Sequence, residues 1–173
     1  TKAWNYQMGC RLQWTNNSSE NILFNNFIDG HFKTVEFSLS KNKTINIFDK
    51  PIYTQSKDSN FFLSLDFSRL GRLRPGYGYN NKIDNSKGQL IPDDNGIWHI
   101  NMKTKKEKLL FTIKEIGKFL NLESGEQYFN HMLISPCSDK FIFFHITNFE
   151  SRRIINLLLF DFNKNEYFLL NNS

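Results

Sequence analysis

The stretch Met132-Leu-Ile-Ser-Pro-Cys-Ser-Asp-Lys-Phe-Ile-Phe-Phe144 decides the fold of this chain. An apolar segment, a turn rich in Ser, Pro and Asp, and a second apolar segment together predict a β-hairpin. The pattern recurs in looser form at Ile52–Phe67 and at Leu12–Phe24. Each copy is followed, after a gap, by a second predicted hairpin: Thr34–Phe48, Gly96–Ile113 and Ile154–Leu170 in chain order. Two consecutive hairpins make a four-stranded meander, so the chain contains three predicted meanders.

Four-stranded meanders repeated along a chain are typical of β-propeller blades. We therefore predict an all-β fold of three four-stranded blades in one domain over residues 1–173. Blade one covers 10–48, blade two covers 51–113 with an insertion at 68–95, and blade three covers 130–170. Apolar residues at helical spacing predict one short helix near 114–121. Three blades form an incomplete propeller with exposed apolar faces. We expect a homodimer, or flanking blades absent from this sequence, to complete the ring.

The composition is that of a folded domain. Of 173 residues, 39% are hydrophobic and 16% are aromatic, which argues against a disordered chain. No membrane span is predicted, because the longest apolar run, Ile154–Phe160, is too short to cross a bilayer. Cys10 and Cys137 lie far apart and outside any CxxC context, which argues against a disulfide scaffold or a zinc ribbon. The net charge of +5 favours an anionic partner.

The sequence says little about location or enzyme class. The first residues, Thr1-Lys-Ala-Trp4, lack the apolar segment of a secretory signal. This favours a cytoplasmic location, while a periplasmic one, with export encoded upstream, stays open. Walker loops, GxGxxG turns, HExxH helices and GxSxG elbows are all absent. The sequence therefore does not decide between an enzyme and a binding module.

The connections between predicted strands are unequal in length. In a meander, alternate connections lie at the same end of the sheet. One end receives only short turns, whereas the other receives four connections that we predict to be long: Ile28–Lys33, Ser68–Asn95, Lys114–Phe129 and Thr147–Arg153. Functional groups usually lie on the elaborate loops of a scaffold, so we expect the site at the second end.

The insertion carries side chains suited to an acidic ligand. Guanidinium groups bind carboxylates bidentately, and tyrosine rings stack on sugar rings. The candidate ligand-binding residues are Arg69, Arg72, Arg74, Tyr77 and Tyr79 of the insertion, with Arg152 and Arg153 from another predicted long loop. The alternative interpretation is a solvated loop whose arginines pair with nearby aspartates, namely Asp66, Asp84, Asp93 and Asp94.

Two histidines are candidates for a metal site. His131 opens one predicted inner strand of blade three and His145 ends the neighbouring strand. Neutral imidazoles at one rim could ligate a metal ion, or one of them could act as a general base. The alternative is structural, because a histidine at a strand end is commonly a hydrogen-bonded core residue.

Several segments carry a family resemblance. Ser135-Pro-Cys-Ser-Asp-Lys-Phe-Ile-Phe143 resembles the SPDGxxIxF hairpin of TolB-type propeller repeats, with Cys and Ser in place of the usual Asp-Gly. The segments Trp4–Trp14, Arg72–Tyr79, Gly96–Ile100 and Asn130–His145 look like a group of bacterial propeller proteins found with surface-polysaccharide genes. That group is distantly similar to oligogalacturonate lyase. The resemblance covers nearly the whole chain and implies a longer parent of about six or seven blades.

The resemblance also implies a chemistry. Oligogalacturonate lyases cleave uronate chains by β-elimination at a manganese site built from histidines and a glutamine. It therefore implies an acidic oligosaccharide or polysaccharide as partner and a divalent metal such as manganese as cofactor, with His131 and His145 as candidate ligands. No glutamine–histidine cluster is evident in the sequence, and His145 is followed by Ile-Thr rather than a basic-aromatic pair. A complete lyase centre is therefore not predicted.

Two functions remain as hypotheses. The first is a propeller module that recognises an acidic saccharide, with metal-assisted β-elimination as its chemistry if it is an enzyme. The alternative is a non-enzymatic protein-interaction propeller in a surface-polysaccharide or envelope system. Nucleic-acid binding is disfavoured, because no basic stripe crosses the predicted blades.

Overall fold

The computed structural model describes residues 1–172, which form three four-stranded antiparallel sheets. The first sheet contains β1 (Gln13–Trp14), β2 (Asn21–Ile28), β3 (His31–Ser38) and β4 (Lys43–Phe48). The second contains β5 (Thr54–Gln55), β6 (Phe61–Ser64), β7 (Gly96–Asn101) and β8 (Glu107–Thr112). The third contains β9 (Glu126–Ile134), β10 (Lys140–Asn148), β11 (Arg153–Asp161) and β12 (Glu166–Asn172). In each sheet the strands pair in chain order, which confirms the prediction of three four-stranded meanders. We call these sheets blades one, two and three.

Tight turns close the hairpins that the sequence predicts. Asn42, Ser138 and Asn165 occupy the left-handed backbone region in three of these turns, with φ values of 48°, 59° and 55°. Short polar side chains tolerate this conformation better than other non-glycine residues do. In the hairpin of blade three, the Ser135 hydroxyl donates to Asp139 Oδ1 at 2.7 Å. The Ser, Pro and Asp composition of that turn therefore has a direct structural role.

Aromatic side chains hold neighbouring blades together. Phe111 of β8 packs against Phe143 and Phe160 of blade three, with ring centroids 5.2 Å apart in both pairs. Between blades one and two, Phe48 and Phe62 meet edge to face at 5.4 Å. Successive strand residues point to opposite faces of a sheet, so alternate apolar residues fill these interfaces. The core therefore lies between the blades rather than within a closed sandwich.

The two terminal blades each leave one apolar face uncovered. Leu133, Ile142, Leu159 and Phe168 occupy directly opposed positions on the four strands of blade three, so they form one row across the sheet. Leu133 is 61% exposed and Phe168 is 39% exposed. On blade one, Trp14 is 56% exposed. We call these surfaces the free faces of blades one and three.

The helix predicted near 114–121 is present as α2 (Ile113–Phe119). The Thr112 side chain accepts from the Glu115 backbone N–H while Glu115 reaches back to the Thr112 N–H, so a capping box begins the helix. Among residues 1–172, no helix is both long and apolar enough to span a bilayer.

A second helix, α1 (Phe67–Leu73), was not predicted. It occupies the start of the insertion, where Arg and Gly residues favoured a loop. Asp66 caps it, because its carboxylate accepts hydrogen bonds from two backbone N–H groups of the first turn. Phe67, Leu70 and Leu73 follow at helical spacing and are buried. An acidic cap followed by this spacing was the signal that the sequence contained.

Two of the four connections predicted to be long are in fact tight. The first, Ile28–Lys33, contains only the turn at 29–30, because β2 continues to Ile28 and β3 begins at His31. The connection predicted at Thr147–Arg153 is reduced to residues 149–152. The expectation of four elaborate loops at one end was therefore wrong for these two.

The two remaining long connections meet at one end of the blades. The insertion reaches blade three, where the Gln127 backbone N–H donates to Leu90 O at 3.0 Å. The second, which includes α2, enters blade three at Glu126, beside Asn148 at the end of β10. The candidate site residues from different blades therefore converge at this end.

Candidate functional site

Arg69, on α1, is a buried structural arginine. Its side chain is 1% exposed. Nε donates to Gln127 O at 2.7 Å, Nη1 donates to Ser86 Oγ at 2.8 Å, and Nη2 donates to Leu90 O at 2.9 Å. These bonds tie α1 to the later part of the insertion and to the first strand of blade three. The Arg69 guanidinium is therefore occupied by internal contacts.

Arg72, one turn further along α1, joins two carboxylates. Nε donates to Asp84 Oδ2 at 2.8 Å, and Nη1 lies 2.8 Å from Glu126 Oε1. Burial opposes ionisation of Asp84, yet hydrogen bonds from Ser86 and Arg72 hold its pKa below the ordinary value. Arg72 thus follows the alternative interpretation, in which an arginine of the insertion pairs with a nearby aspartate.

Tyr79 is also an internal residue. It is 0% exposed and lies flat on Phe67, with ring centroids 4.5 Å apart and planes 10° apart. Its hydroxyl accepts from Asn25 Nδ2 of blade one at 3.0 Å. Gly78 permits this close packing of the loop on α1, since a Cβ there would lie 2.1 Å from Gly71 N. Tyr79 therefore joins the insertion to blade one.

Arg74 and Tyr77, from the same segment, instead meet His131 of blade three. The Arg74 guanidinium lies 5.3 Å from the Tyr77 ring centroid, and the Tyr77 and His131 rings meet edge to face at 5.6 Å. His131 is exposed and has a φ of 50°, at a bulge where the pairing of β9 with β10 shifts. A bulge re-aims the side chain of the extra residue. The structure therefore brings three predicted site residues together.

Arg11 of blade one joins the same cluster. Its Nε donates to Tyr53 O at 2.8 Å, and its guanidinium lies 4.4 Å from the Tyr53 ring centroid. The Tyr53 hydroxyl in turn accepts from His131 N at 2.8 Å and donates to Asn130 Oδ1 at 3.0 Å. Arg11, Tyr53 and His131 belong to blades one, two and three respectively. All three blades therefore contribute to one cluster at their innermost strands.

The two arginines that follow β10, Arg152 and Arg153, lie in different places. Arg153 Nε donates to Asn148 Oδ1 at 2.9 Å, and Asn148 Nδ2 donates to Leu73 O, next to Arg74, at 3.2 Å. Arg152 instead places its guanidinium 5.3 Å from the Phe149 ring centroid and lines a different groove, beside α2. Only Arg153 therefore belongs with Arg74. We call Arg11, Arg74, Tyr77, His131 and Arg153 the cationic rim.

The groups around the cationic rim experience positive charge. Partial desolvation by the surrounding cluster lowers the pKa of the exposed His131, and the charges of Arg74 and Arg11 lower it further. Burial raises the pKa of Tyr128, beside the rim, while the charges of Arg153 and Arg74 oppose that increase. The charged neighbours of both groups are thus arginines. Such a concentration of positive charge attracts anions.

His145 lies on the other face of blade three. Adjacent residues in a strand point to opposite faces, and the His131 ring contacts Phe144 at 5.3 Å whereas the His145 ring contacts Phe129 at 5.8 Å. His145 is 0% exposed, and its Nε2 lies 2.8 Å from Gln127 Oε1. Burial lowers the pKa of His145 to about 3, so the ring is neutral at physiological pH.

The two histidines do not fit a metal ion ligated by both imidazoles. Their rings occupy opposite faces of one sheet, and the His145 Nε2 atom is engaged by Gln127. Within residues 1–172, no three or more His, Cys, Asp and Glu side chains are grouped so that they could hold a metal ion. No step of the function proposed below therefore uses a metal.

Sequence reasoning missed two partners of the predicted residues. Gln127 and His145 are 18 residues apart, and only the strand register brings them together. Arg11 precedes the short strand β1 and resembles any other surface arginine in the sequence. Its signal was positional, because it precedes the first strand of a blade as Tyr53 does in the next.

Comparisons with known proteins agree with this fold. No family model matches the chain, and no curated protein matches its sequence. The structure of TolB from Acinetobacter baumannii is similar, with a TM-score of 0.56 and 10% identity, over 100% of this chain and 33% of that one. Oligogalacturonate lyase in complex with manganese is similar with a TM-score of 0.56 and 10% identity, over 99% of this chain and 41% of the lyase.

A third solved structure, the tricorn protease, has a TM-score of 0.52 and 9% identity, over 88% of this chain and 12% of the protease. The chain thus spans less than half the length of each of these three proteins. Similarity at this level of identity shows the fold alone. The chain has a TolB-like propeller fold, of which three blades are present.

Proposed function

We propose that this chain recognises an acidic oligosaccharide at the cationic rim. The observation that carries the proposal is that Arg11 and Arg74 are the charged neighbours of His131, while Arg74 and Arg153 are those of Tyr128, and both of these residues lie on β9. Carboxylates of a uronate chain match guanidinium groups in charge and planar geometry. The ligand would therefore lie across the inner edges of the blades.

The saccharide class has separate support. Tyr77 and the exposed ring of His131 offer apolar surface beside the arginines, and sugar rings bind to such mixed surfaces through their C–H faces. The sequence resemblance to propeller proteins found with surface-polysaccharide genes favours the same class of ligand. Arg69, Arg72 and Tyr79 would act indirectly, because they hold the insertion in position.

Binding of trigalacturonate, measured by calorimetry, tests this proposal. We expect saturable binding that weakens as the NaCl concentration rises, since exposed charges are screened. Arg74→Ala should weaken binding by about tenfold or more, because a hydrogen bond to a charged group contributes roughly 1.5–3 kcal/mol. Arg74→Lys keeps the charge but loses the planar fork, so its affinity should be intermediate.

Two controls make the experiment selective. Lys164→Ala removes a positive charge from the turn at the opposite end of blade three and should leave the affinity unchanged. Maltotriose, a neutral trimer, should not bind measurably. Equal affinity for the two trimers, or wild-type affinity in Arg74→Ala, would show that the rim is not an acidic-saccharide site.

The free faces favour a second role, as an interaction module that binds another copy of the chain. The series of three blades ends in apolar surface on both sides. Trp14 lies on the free face of blade one, and the row that includes Leu133 and Phe168 lies on the free face of blade three. In a dimer with a two-fold axis, the free face of blade one in each copy would pack on the free face of blade three in the other copy. The two chains would then form a closed ring of six blades, with the cyclic symmetry that is common among dimers. Light scattering should then give the mass of two chains, and Leu133→Lys should give one. A wild-type monomer at high concentration would contradict this role.

A further inference from the structure

Two large aromatic side chains near the start of the chain are exposed to solvent. Trp4 is 53% exposed and Tyr6 is 87% exposed, and their rings meet edge to face with centroids 5.0 Å apart. We call these two residues the aromatic pair. A single exposed aromatic residue needs no explanation, but adjacent ones form a continuous apolar surface of the kind that binds a partner.

The segment that carries the aromatic pair is attached to blade one at both ends. Before the pair, the Lys2 backbone N–H donates to Asn26 Oδ1 of β2 at 2.9 Å, and Ala3 is buried. After the pair, the Asn25 backbone N–H, also of β2, donates to Cys10 O at 2.7 Å. A ligand that binds an anchored segment has little backbone to order, so less of its binding free energy is lost.

Asn5, between the two aromatic residues, places them beside the cationic rim. Its buried side chain donates from Nδ2 to Tyr77 O at 3.2 Å and accepts at Oδ1 from the Gln7 backbone N–H at 3.0 Å. The same Gln7 N–H donates to Gly76 O at 3.2 Å. Tyr77 belongs to the cationic rim, and Arg11, another rim residue, follows a few positions later in the segment. The aromatic pair and the cationic rim are therefore neighbours.

The polar atoms of the aromatic pair have no internal role. Within residues 1–172, neither Trp4 Nε1 nor the Tyr6 hydroxyl makes a hydrogen bond. An indole N–H donates, and a phenol hydroxyl both donates and accepts, so each atom can bond to a sugar hydroxyl. The rings themselves offer apolar surface for the C–H face of a sugar. The pair thus has both kinds of contact that a sugar ring uses.

We propose that the aromatic pair is a second sugar subsite, which binds another ring of the same acidic chain that the cationic rim binds. The proposal rests on the function proposed above, because the rim must bind the carboxylates of that chain. The rim attracts charged groups, whereas the pair packs on the apolar faces of sugar rings. The ligand is then an oligosaccharide long enough to span both surfaces, rather than a single uronate.

Calorimetric titration of hexagalacturonate into the full chain tests the subsite. Trp4→Ala and Tyr6→Ala should each weaken binding about fivefold or more, as truncation of aromatic contacts at binding interfaces commonly does. This loss should not change with the NaCl concentration, whereas the loss in Arg74→Ala should shrink as exposed charges are screened. Trp14→Ala is the matched control, because Trp14 is 56% exposed but lies on the free face of blade one. It should bind as wild type.

The outcomes separate the subsite from the rim. If Arg74→Ala weakens hexagalacturonate binding while both aromatic variants bind as wild type, the rim is retained and the subsite is wrong. If hexagalacturonate does not bind at all, both proposals fail. Light scattering on the same samples adds a third result, since a halved mass in Trp4→Ala with unchanged affinity would make the pair a contact between copies. Both aromatic side chains are more than half exposed, so their replacement should leave the fold intact.

Discussion

Replacing Arg69 with methionine is expected to lower the free energy of unfolding by about 3–5 kcal/mol. The buried guanidinium donates to carbonyls of Gln127, Gln89 and Leu90 and to the Ser86 hydroxyl. Methionine keeps the aliphatic part of the side chain but has no donor, so all of these hydrogen bonds would be lost, although Leu90 O keeps its bond from the Gln127 N–H. A hydrogen bond to a charged group contributes roughly 1.5–3 kcal/mol, and here several would be lost together. Urea unfolding followed by tryptophan fluorescence measures the change.

Arg74→Met is the matched control for this substitution. Arg74 ends the same helix, but its guanidinium contacts the Tyr77 ring, and among the described residues it has no internal network of the kind that surrounds Arg69. Its replacement should change the unfolding free energy by no more than about 0.5 kcal/mol. A similarly small change in Arg69→Met would contradict the view that Arg69 holds the insertion onto blade three.

Gly78→Ala is expected to cost about 3 kcal/mol of stability, because the site has no room for a methyl group. A Cβ at this position would lie 2.1 Å from Gly71 N and 2.3 Å from Phe67 O. Both atoms belong to the backbone of α1, so they cannot move aside as a flexible side chain could. The Tyr79 backbone N–H donates to that same Phe67 carbonyl at 2.9 Å, so a shift would also break this bond. Urea unfolding again measures the loss.

Gly88→Ala separates steric crowding from backbone strain. Gly88 has a φ of 91°, and a Cβ there would meet nothing within 4 Å in the part of the chain that the structure describes. The expected cost is therefore only the conformational penalty of about 1–2 kcal/mol. Should Gly78→Ala prove no more destabilising than Gly88→Ala, close packing of the loop on α1 would not be the reason for glycine at 78.

The strands could be predicted because their signals are local. The segment Met132–Phe144 contains two apolar stretches and the turn between them within a few residues. The predicted hairpin is present, with β9 and β10 as its two strands. Strand ends were harder, because β10 continues to Asn148 through Thr147 without any apolar signal. α1 was missed because two arginines and a glycine lie among its seven residues. The capping residue Asp66 and the helical spacing of the apolar residues that follow it would have identified the helix.

The candidate site was less predictable, because its geometry depends on the contacts between blades. Arg69 and Arg74 are five positions apart and look alike in sequence, yet one is buried and the other lies at the rim. His131 and His145 looked like a pair, but the pleat of β10 and a bulge in β9 place them on opposite faces. Side-chain direction depends on register, and a shift of one residue reverses it. Composition and spacing do not contain that information.

Side chains replace the missing backbone ladder between separate sheets. The Asn25 amide bonds both the N–H and the C=O of Ile52, as a neighbouring strand would. In blade three, the Tyr53 hydroxyl accepts from the His131 N–H and donates to the Asn130 side chain. If one sheet separated from its neighbour, these polar atoms would lose their hydrogen-bond partners within the mostly apolar interface between the blades. The three blades should therefore unfold in a single cooperative transition, and the cationic rim, which is built where the blades meet, would be lost in the same step.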